Sequence, residues 1–435
     1  MLSILYLVII AVLALLSLTR GRVFIMCGFY SFYALLTVLD EGNVPRWGPF
    51  TVYRALYLIL FISVVARLIQ DRTFLLRVRS WPLLPYVFLL IVVLASSLYA
   101  NSNSIFSSDN PDGFLNCIVV PALFWMAVAH VQQNEDLTAF AGMTVVVSLS
   151  LSVWVIWNLA QLNFEAVRGG IERNQNYVSV FVLMGAIPLI DTIFGGKNRF
   201  LRVLYLPVLL CLVLASLILA SRGMMAAAAV AVIMMAARLI RRRGRGTLWS
   251  VGGLLVPVLA VAFFLPGAEN FAARFQEDSL GTLNERTYVW SRSLQYFSDS
   301  GLARMVFGQG ISSATFVLGP ALPSHLINYH NQYLKYLMEQ GVVGLFVFMG
   351  FLYAVTRRVV DCDHPRKNVM IGWLAFLFMA GLSSTIGDTH LFWIVLGIVI
   401  GAGSLASPNV LSQAALGGMP RTWPSIFRVP RSAGL

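Results

Sequence analysis

Tyr329-His330-Asn331-Gln332-Tyr333-Leu334, continuing through Glu339 to Gly341-Val342-Val343-Gly344, is where a long polar segment gives way to a strongly apolar run. A histidine-asparagine pair at the mouth of an apolar helix is the kind of junction a membrane scaffold can hold against other polar groups. Glu339 lies nine residues past His330, roughly 13 Å further along at helical rise, inside the apolar stretch or near its start. A carboxylate there needs a partner, and an arginine is the partner expected. Gly341 and Gly344 are expected to serve close helix packing.

The rest of the chain supports a membrane scaffold. Of 435 residues, 58% are hydrophobic and 11% charged, and mean hydropathy is +0.77. A soluble domain carries about 25% charge. Apolar runs fall at 1–19, 23–39, 50–67, 81–99, 114–131, 138–160, 176–195, 203–220, 223–240, 248–266, 334–356, 368–387 and 391–407. Each approaches the ~20 residues a bilayer-spanning helix needs. They are continuous rather than alternating, which argues against a β-barrel. The first two give an ambiguous orientation, and one of them is expected to be tilted or re-entrant. The fold class expected is therefore all-α integral membrane, with about 12 transmembrane helices and one long extramembrane segment between late helices. Met1–Leu18 lacks a basic flank and a small-residue cleavage site, so it reads as a retained helix.

The net charge of +12 is nearly all arginine, with Lys197, Lys335 and Lys367 the only lysines. Basic clusters at Arg67–Arg79, Lys197–Arg202, Arg238–Arg245, Arg357–Lys367 and Arg421–Arg431 all fall on one side if each later segment crosses once. That is the positive-inside pattern, and it needs no nucleic acid. The far side then carries 40–49, 100–113, 161–175, the Ser221-Arg222-Gly223 turn, 267–329 and Gly387-Asp388-Thr389-His390. The organisation read from this is 1–266 as N-terminal and central helices, 267–329 as the far-side segment with short amphipathic helices, one near Glu285–Phe297, 330–410 as C-terminal helices and 411–435 as a basic cytoplasmic tail. Cys27, Cys117, Cys211 and Cys362 are scattered, with neither metal spacing nor nucleophile context.

Arg168, Arg173, Arg222 and Arg286 break the positive-inside pattern. Arg222 does so most sharply, because a turn of a few residues needs no guanidinium. Any single one could snorkel or pair with a carboxylate such as Glu285. As a set they point to a shared anion site, since the guanidinium fork matches phosphate oxygens. His330 suits a general base, or alternatively a local hydrogen-bonding role, with an ordinary near-neutral pKa. Asn331, Asp388 and His390 are candidates to orient it or bind an acceptor; a helix-capping role fits the last two equally. His130 and His364 read as surface residues, and Arg54 as a weaker candidate cation. There is no Walker sequence, HExxH, GxSxG or far-side carboxylate cluster, so no metal and no cofactor is expected.

Arg286, Trp290, Phe307-Gly308-Gln309-Gly310, His330-Asn331, Leu334, Glu339 and Gly341-x-x-Gly344 together resemble the signature of the O-antigen ligase and polymerase superfamily of bacterial inner-membrane glycosyltransferases. Ser221-Arg222-Gly223 resembles that family's arginine between two central helices, and Arg173-Asn174-Gln175-Asn176 its polar approach to a preceding helix. The likeness is specific over 285–344, diffuse over the rest of 160–400 and absent from the first 150 residues beyond their apolar helices. It implies a lipid-linked-donor (GT-C-like) architecture, an active site facing the periplasm and inverting, metal-independent transfer. The implied donor is a glycan on undecaprenyl diphosphate, with the prenyl tail among membrane lipids. The acceptor is the lipid A core oligosaccharide for a ligase, another lipid-linked repeat for a polymerase, or a protein side chain in a third branch. It implies donor diphosphate binding by Arg222 and Arg286 with Arg168 or Arg173, and catalysis by His330. One dominant far-side segment favours the ligase. A transporter or flippase would instead call for inverted repeats and charges near the bilayer midplane, and a non-enzymatic assembly factor would need neither His330 nor Arg222.

Overall fold

The computed structural model describes residues 23–38, 46–47, 50–70, 83–99, 112–131, 133–161, 175–196, 199–219, 221–243, 278–319, 328–386 and 389–405. The described chain is helical. In order the helices are α1 (Val23–Val38), α2 (Val52–Gln70), α3 (Leu83–Tyr99), α4 (Asp112–His130), α5 (Asn134–Gln161), α6 (Gln175–Gly195), α7 (Arg199–Leu219) and α8 (Arg222–Arg243). The later ones are α9 (Asp278–Asp299), α10 (Leu302–Phe307), α11 (Ala314–Leu318), α12 (Gln332–Asp361), α13 (Lys367–Ala380) and α14 (His390–Leu405). A two-residue antiparallel pair, β1 (Arg46–Trp47) with β2 (Phe50–Thr51), is a detail that apolar patterning does not signal.

Eleven of the apolar runs read from sequence coincide with helices; 1–19 and 248–266 lie outside the described residues. Among the described residues, five helices are long and apolar enough to cross a membrane by length and composition: those over Asn134–Asn158, Asn176–Gly195, Phe200–Leu219, Arg222–Arg242 and Gln332–Asp361. The stretches 1–22, 244–277, 320–327 and 406–435 also lie outside the description, so the domain boundaries and basic tail stand as expectations.

Most of α13 and α14 is buried, so these two apolar helices form the centre of the bundle. α14 packs most extensively on α4, and α13 on α8. The Trp373 indole, fully enclosed, donates from Nε1 to the Met184 carbonyl at 3.0 Å, which satisfies its polar edge within the core. Phe124, Phe351, Tyr86 and Trp393 form an aromatic cluster joining α3, α4, α12 and α14.

A second, smaller core holds the polar segment against the bundle. Val289, Val317, Leu318, Tyr329, Leu334 and Met338 are its buried members, with Trp290, Tyr296 and Phe297 packed around them. The amphipathic helix expected near Glu285–Phe297 is therefore α9, and its aromatics face the start of α12.

Two sequence readings change here. His130 is fully buried, not a surface residue; its Nε2 lies 2.9 Å from Ser63 Oγ and its Nδ1 bonds the Met126 carbonyl. His364 is also buried, with Nδ1 accepting from the Arg366 amide at 3.0 Å. Both imidazoles are fixed by local partners that hydropathy cannot reveal.

Candidate functional site

Asn331 starts α12. Its extended backbone (φ −154, ψ 120) is non-helical, and its side-chain oxygen accepts from the amides of Tyr333 at 2.9 Å and Leu334 at 3.0 Å. Those are two of the donors that a helix start leaves without intrahelical partners. The next such amide, Gln332, donates to the Gly381 carbonyl at 2.7 Å and ties the start of α12 to the end of α13. The Asn331 oxygen is thus engaged in capping, which makes its contribution one of position.

His330, just before the cap, sits at φ +49, in the left-handed region. Its amide donates to Asn328 Oδ1 at 3.0 Å. Asparagine side chains turn their own backbone two residues on, and histidine tolerates positive φ better than most side chains. Asn328-x-His330 is the sequence signal for this turn, and Asn328 is a site residue that sequence reasoning missed. Its Nδ2 also reaches Thr385 Oγ1, at 3.4 Å.

Tyr329 anchors the turn from the other side. It is buried, its hydroxyl shares a hydrogen bond with Ser313 Oγ at 2.8 Å, and its carbonyl accepts from Trp290 Nε1 at 2.9 Å. Burial, then the nearby Glu339 charge, holds its phenol protonated well above the usual range. Trp290 and Ser313 therefore fix the backbone that presents His330.

The loop after α10 is held by a break in α12. Gly341 has φ +70 and ψ −170 inside an otherwise helical run, freeing the carbonyls of Met338 and Glu339. The amides of Gln309 and Gly310 donate to them at 2.8 and 2.9 Å. A Cβ at Gly341 would meet the Val306 carbonyl, and one at Gly308, with φ +88, the Glu339 carbonyl. Both positions need glycine for backbone conformation as well as space. Glu339 is buried; its Oε1 accepts from the Ser312 amide at 3.0 Å and its Oε2 lies 3.9 Å from Lys335 Nζ. Its partners among the described residues include a lysine one turn away and a loop amide.

Arg222 is the first residue of α8. Ser221 Oγ donates to Asn176 Oδ1 at 2.7 Å, joining this start to the beginning of α6. Gly223 lies so close to Ser383 that no Cβ would fit. The starts of α6, α8 and α12 and the turn after α13 consequently share one end of the bundle. Arg286, on α9, is half-buried, and its pKa is lowered by burial and by the adjacent Arg222 guanidinium. His330 is lowered in turn from 6.5 to about 4, first by burial and then by Arg286. The near-neutral pKa expected from sequence is corrected: the imidazole is neutral at physiological pH, with an unprotonated nitrogen able to accept a proton.

The structure thus brings Arg222, Arg286 and His330 into one electrostatic neighbourhood. Among the described residues no carboxylate forms an ion pair with Arg286. Two like charges held together favour a bound anion, and a guanidinium pair suits phosphate oxygens. The positive ends of α8 and α12 lie at the same end and reinforce that preference. His390 begins α14 among the rings of Tyr33, Phe29 and Tyr57, with centroids at 4.4, 6.1 and 5.4 Å. Arg168, Arg173 and Asp388 lie outside the described residues.

Comparison with known families adds one finding. Residues 206–349 match a family described as O-Antigen ligase, and the match supports the O-antigen ligase superfamily for this chain. It spans α7 through the first half of α12, including Arg222, Arg286 and His330. No curated protein matches the chain.

Proposed function

We propose that this chain is an O-antigen ligase, transferring a glycan from undecaprenyl diphosphate to a hydroxyl of the lipid A core oligosaccharide on the periplasmic face of the bacterial inner membrane. The observation that carries this reading is the line of coupled groups at one end of an apolar bundle, Arg222 acting on Arg286 and Arg286 on a neutral His330. Arg222 and Arg286 bind the donor diphosphate, with Arg168 or Arg173 in support. As the bond from the anomeric carbon to the diphosphate oxygen breaks, negative charge grows on the leaving group, and the fixed guanidinia stabilise it.

The acceptor oxygen attacks the opposite face of the anomeric carbon and inverts it. His330 takes the proton this oxygen loses. A free imidazole near pKa 4 is a weak base, but a bound diphosphate offsets the Arg286 charge that depresses it, so donor binding strengthens the base. Asn328 holds the His330 amide, and Asn331 caps the helix that follows it.

The test is a lipopolysaccharide gel from a strain lacking the protein, complemented with wild type or His330→Ala at matched membrane levels. Bare lipid A core with long glycan accumulating on the carrier lipid is expected without the protein, and no rescue by His330→Ala. Core bearing a single repeat would instead make the chain a polymerase. A normal ladder would remove this substrate class.

A further inference from the structure

α9 and α10 border a half-open hollow of about 290 Å³, lined by Arg292, Gln295, Tyr296, Asp299, Ser300, Gly301 and Arg304. Arg292, Gln295, Tyr296 and Asp299 recur at three- and four-residue spacing, so they line one face of α9. Arg304, from α10, adds a second arginine to the lining. The volume is at the lower limit for small-molecule sites, about 300–1,000 Å³, and suits a single sugar ring.

The lining has the chemistry for such a ring with an acidic substituent. The two guanidinia give a bidentate match for a phosphate or carboxylate. Gln295 Oε1 accepts from Arg292 Nη1 at 3.4 Å and so holds that guanidinium in place, while Asp299 and Ser300 offer groups for sugar hydroxyls. Tyr296 is half-buried and packs in the small core that also holds Tyr329, the residue preceding His330. The hollow and the turn presenting His330 therefore border the same small core.

We infer that this hollow is a binding subsite for an acidic sugar unit of the acceptor glycan, distinct from the Arg222–Arg286 diphosphate site. The inference rests on the transferase reading for the word acceptor, but the binding itself does not. Arg292 and Arg304 are exposed, so neutral replacements there leave the packing intact.

The probes are glucose 6-phosphate, glucose and inorganic phosphate, titrated against the full chain in nanodiscs of zwitterionic lipid and read by saturation-transfer NMR. Wild type is expected to bind glucose 6-phosphate at least tenfold more tightly than either other probe, and the Arg292→Gln/Arg304→Gln double variant to lose that preference. Inorganic phosphate binding as well as the sugar phosphate would reduce the hollow to an anion or lipid-headgroup site. Unchanged sugar-phosphate binding in the double variant would overturn the subsite altogether. In transfer assays the double variant is expected to raise the acceptor KM about tenfold with kcat and donor KM within twofold of wild type. A rise in donor KM instead would place the subsite on the donor glycan and refute the acceptor assignment. Binding lost in the double variant, with no transfer by wild type, would remove the transferase reading while leaving the sugar site standing.

Discussion

Replacing Arg286 by glutamine tests whether His330 works as a base in a cationic field. His330 lies at about 4 against an ordinary 6.5, and two causes account for the gap, burial first and Arg286 second. Arg286→Gln removes only the smaller cause, so the imidazole returns by less than half the gap, at most about one pH unit. The sign follows from the role. The neutral imidazole is the active form, so activity falls as pH drops through its pKa, and removing a positive neighbour moves that acid limb to higher pH. The assay is kcat/KM against pH for glycan transfer by purified protein in vesicles, between about pH 3.5 and 7. Donor-free protein labelled at histidine carbons gives the same titration without turnover. The acid limb of kcat in wild type should also lie above that of kcat/KM, because bound diphosphate offsets Arg286. An acid limb that stays in place, or moves to lower pH, in Arg286→Gln would refute the coupling.

Asn331→Ala removes the cap from two α12 amides and is expected to cost about 1 kcal/mol, read as a lower melting temperature in detergent; an unchanged melting point would mean another group caps the helix. Gly341→Ala forces a side chain into a backbone conformation open essentially to glycine, costing about 1–3 kcal/mol before its collision with the Val306 carbonyl. It should melt well below wild type, and equal stability would disprove the close approach of the 306–310 loop. At the other end of the bundle, Asp191 accepts from Asn368 at 3.2 Å and pairs with Arg366 at 3.5 Å, while Arg238 donates to Asn368 at 3.2 Å. Asp191→Ala is expected to lose about 2 kcal/mol, with transfer activity per folded molecule unchanged; a specific loss of activity would assign that network a functional role.

Much of the site was legible in particular residues. Arg222 and Arg286 stood out because they break the positive-inside pattern, and His330 because it opens an apolar run. Arg292 and Arg304 break the same pattern, yet as isolated residues in a polar segment they gave no reason to be paired. Asn328, Ser313 and Trp290 carry the turn that presents His330, the first and last through backbone groups and Ser313 through the Tyr329 hydroxyl, and only Asn328-x-His330 has a local spacing to betray it. Glu339 was placed in the helix from sequence, but the loop amide that meets its carboxylate had no local signal, because it arrives only through the break at Gly341. Histidines 130 and 364 failed for a related reason: hydropathy locates a segment's end but not whether its last polar residue faces a buried partner.

By itself the sequence determined that this is a helical membrane chain, where its helices lie and which cations are out of place, because hydrophobic length and charge distribution are properties of consecutive residues. Only the tertiary structure decided that Arg222, Arg286 and His330, brought from three distant parts of the chain, share one field. Their separation is set by glycine-mediated backbone contacts, helix caps and aromatic packing between elements. The neutral state of His330 follows from that arrangement, since burial and the neighbouring guanidinium exist only once the helices have packed.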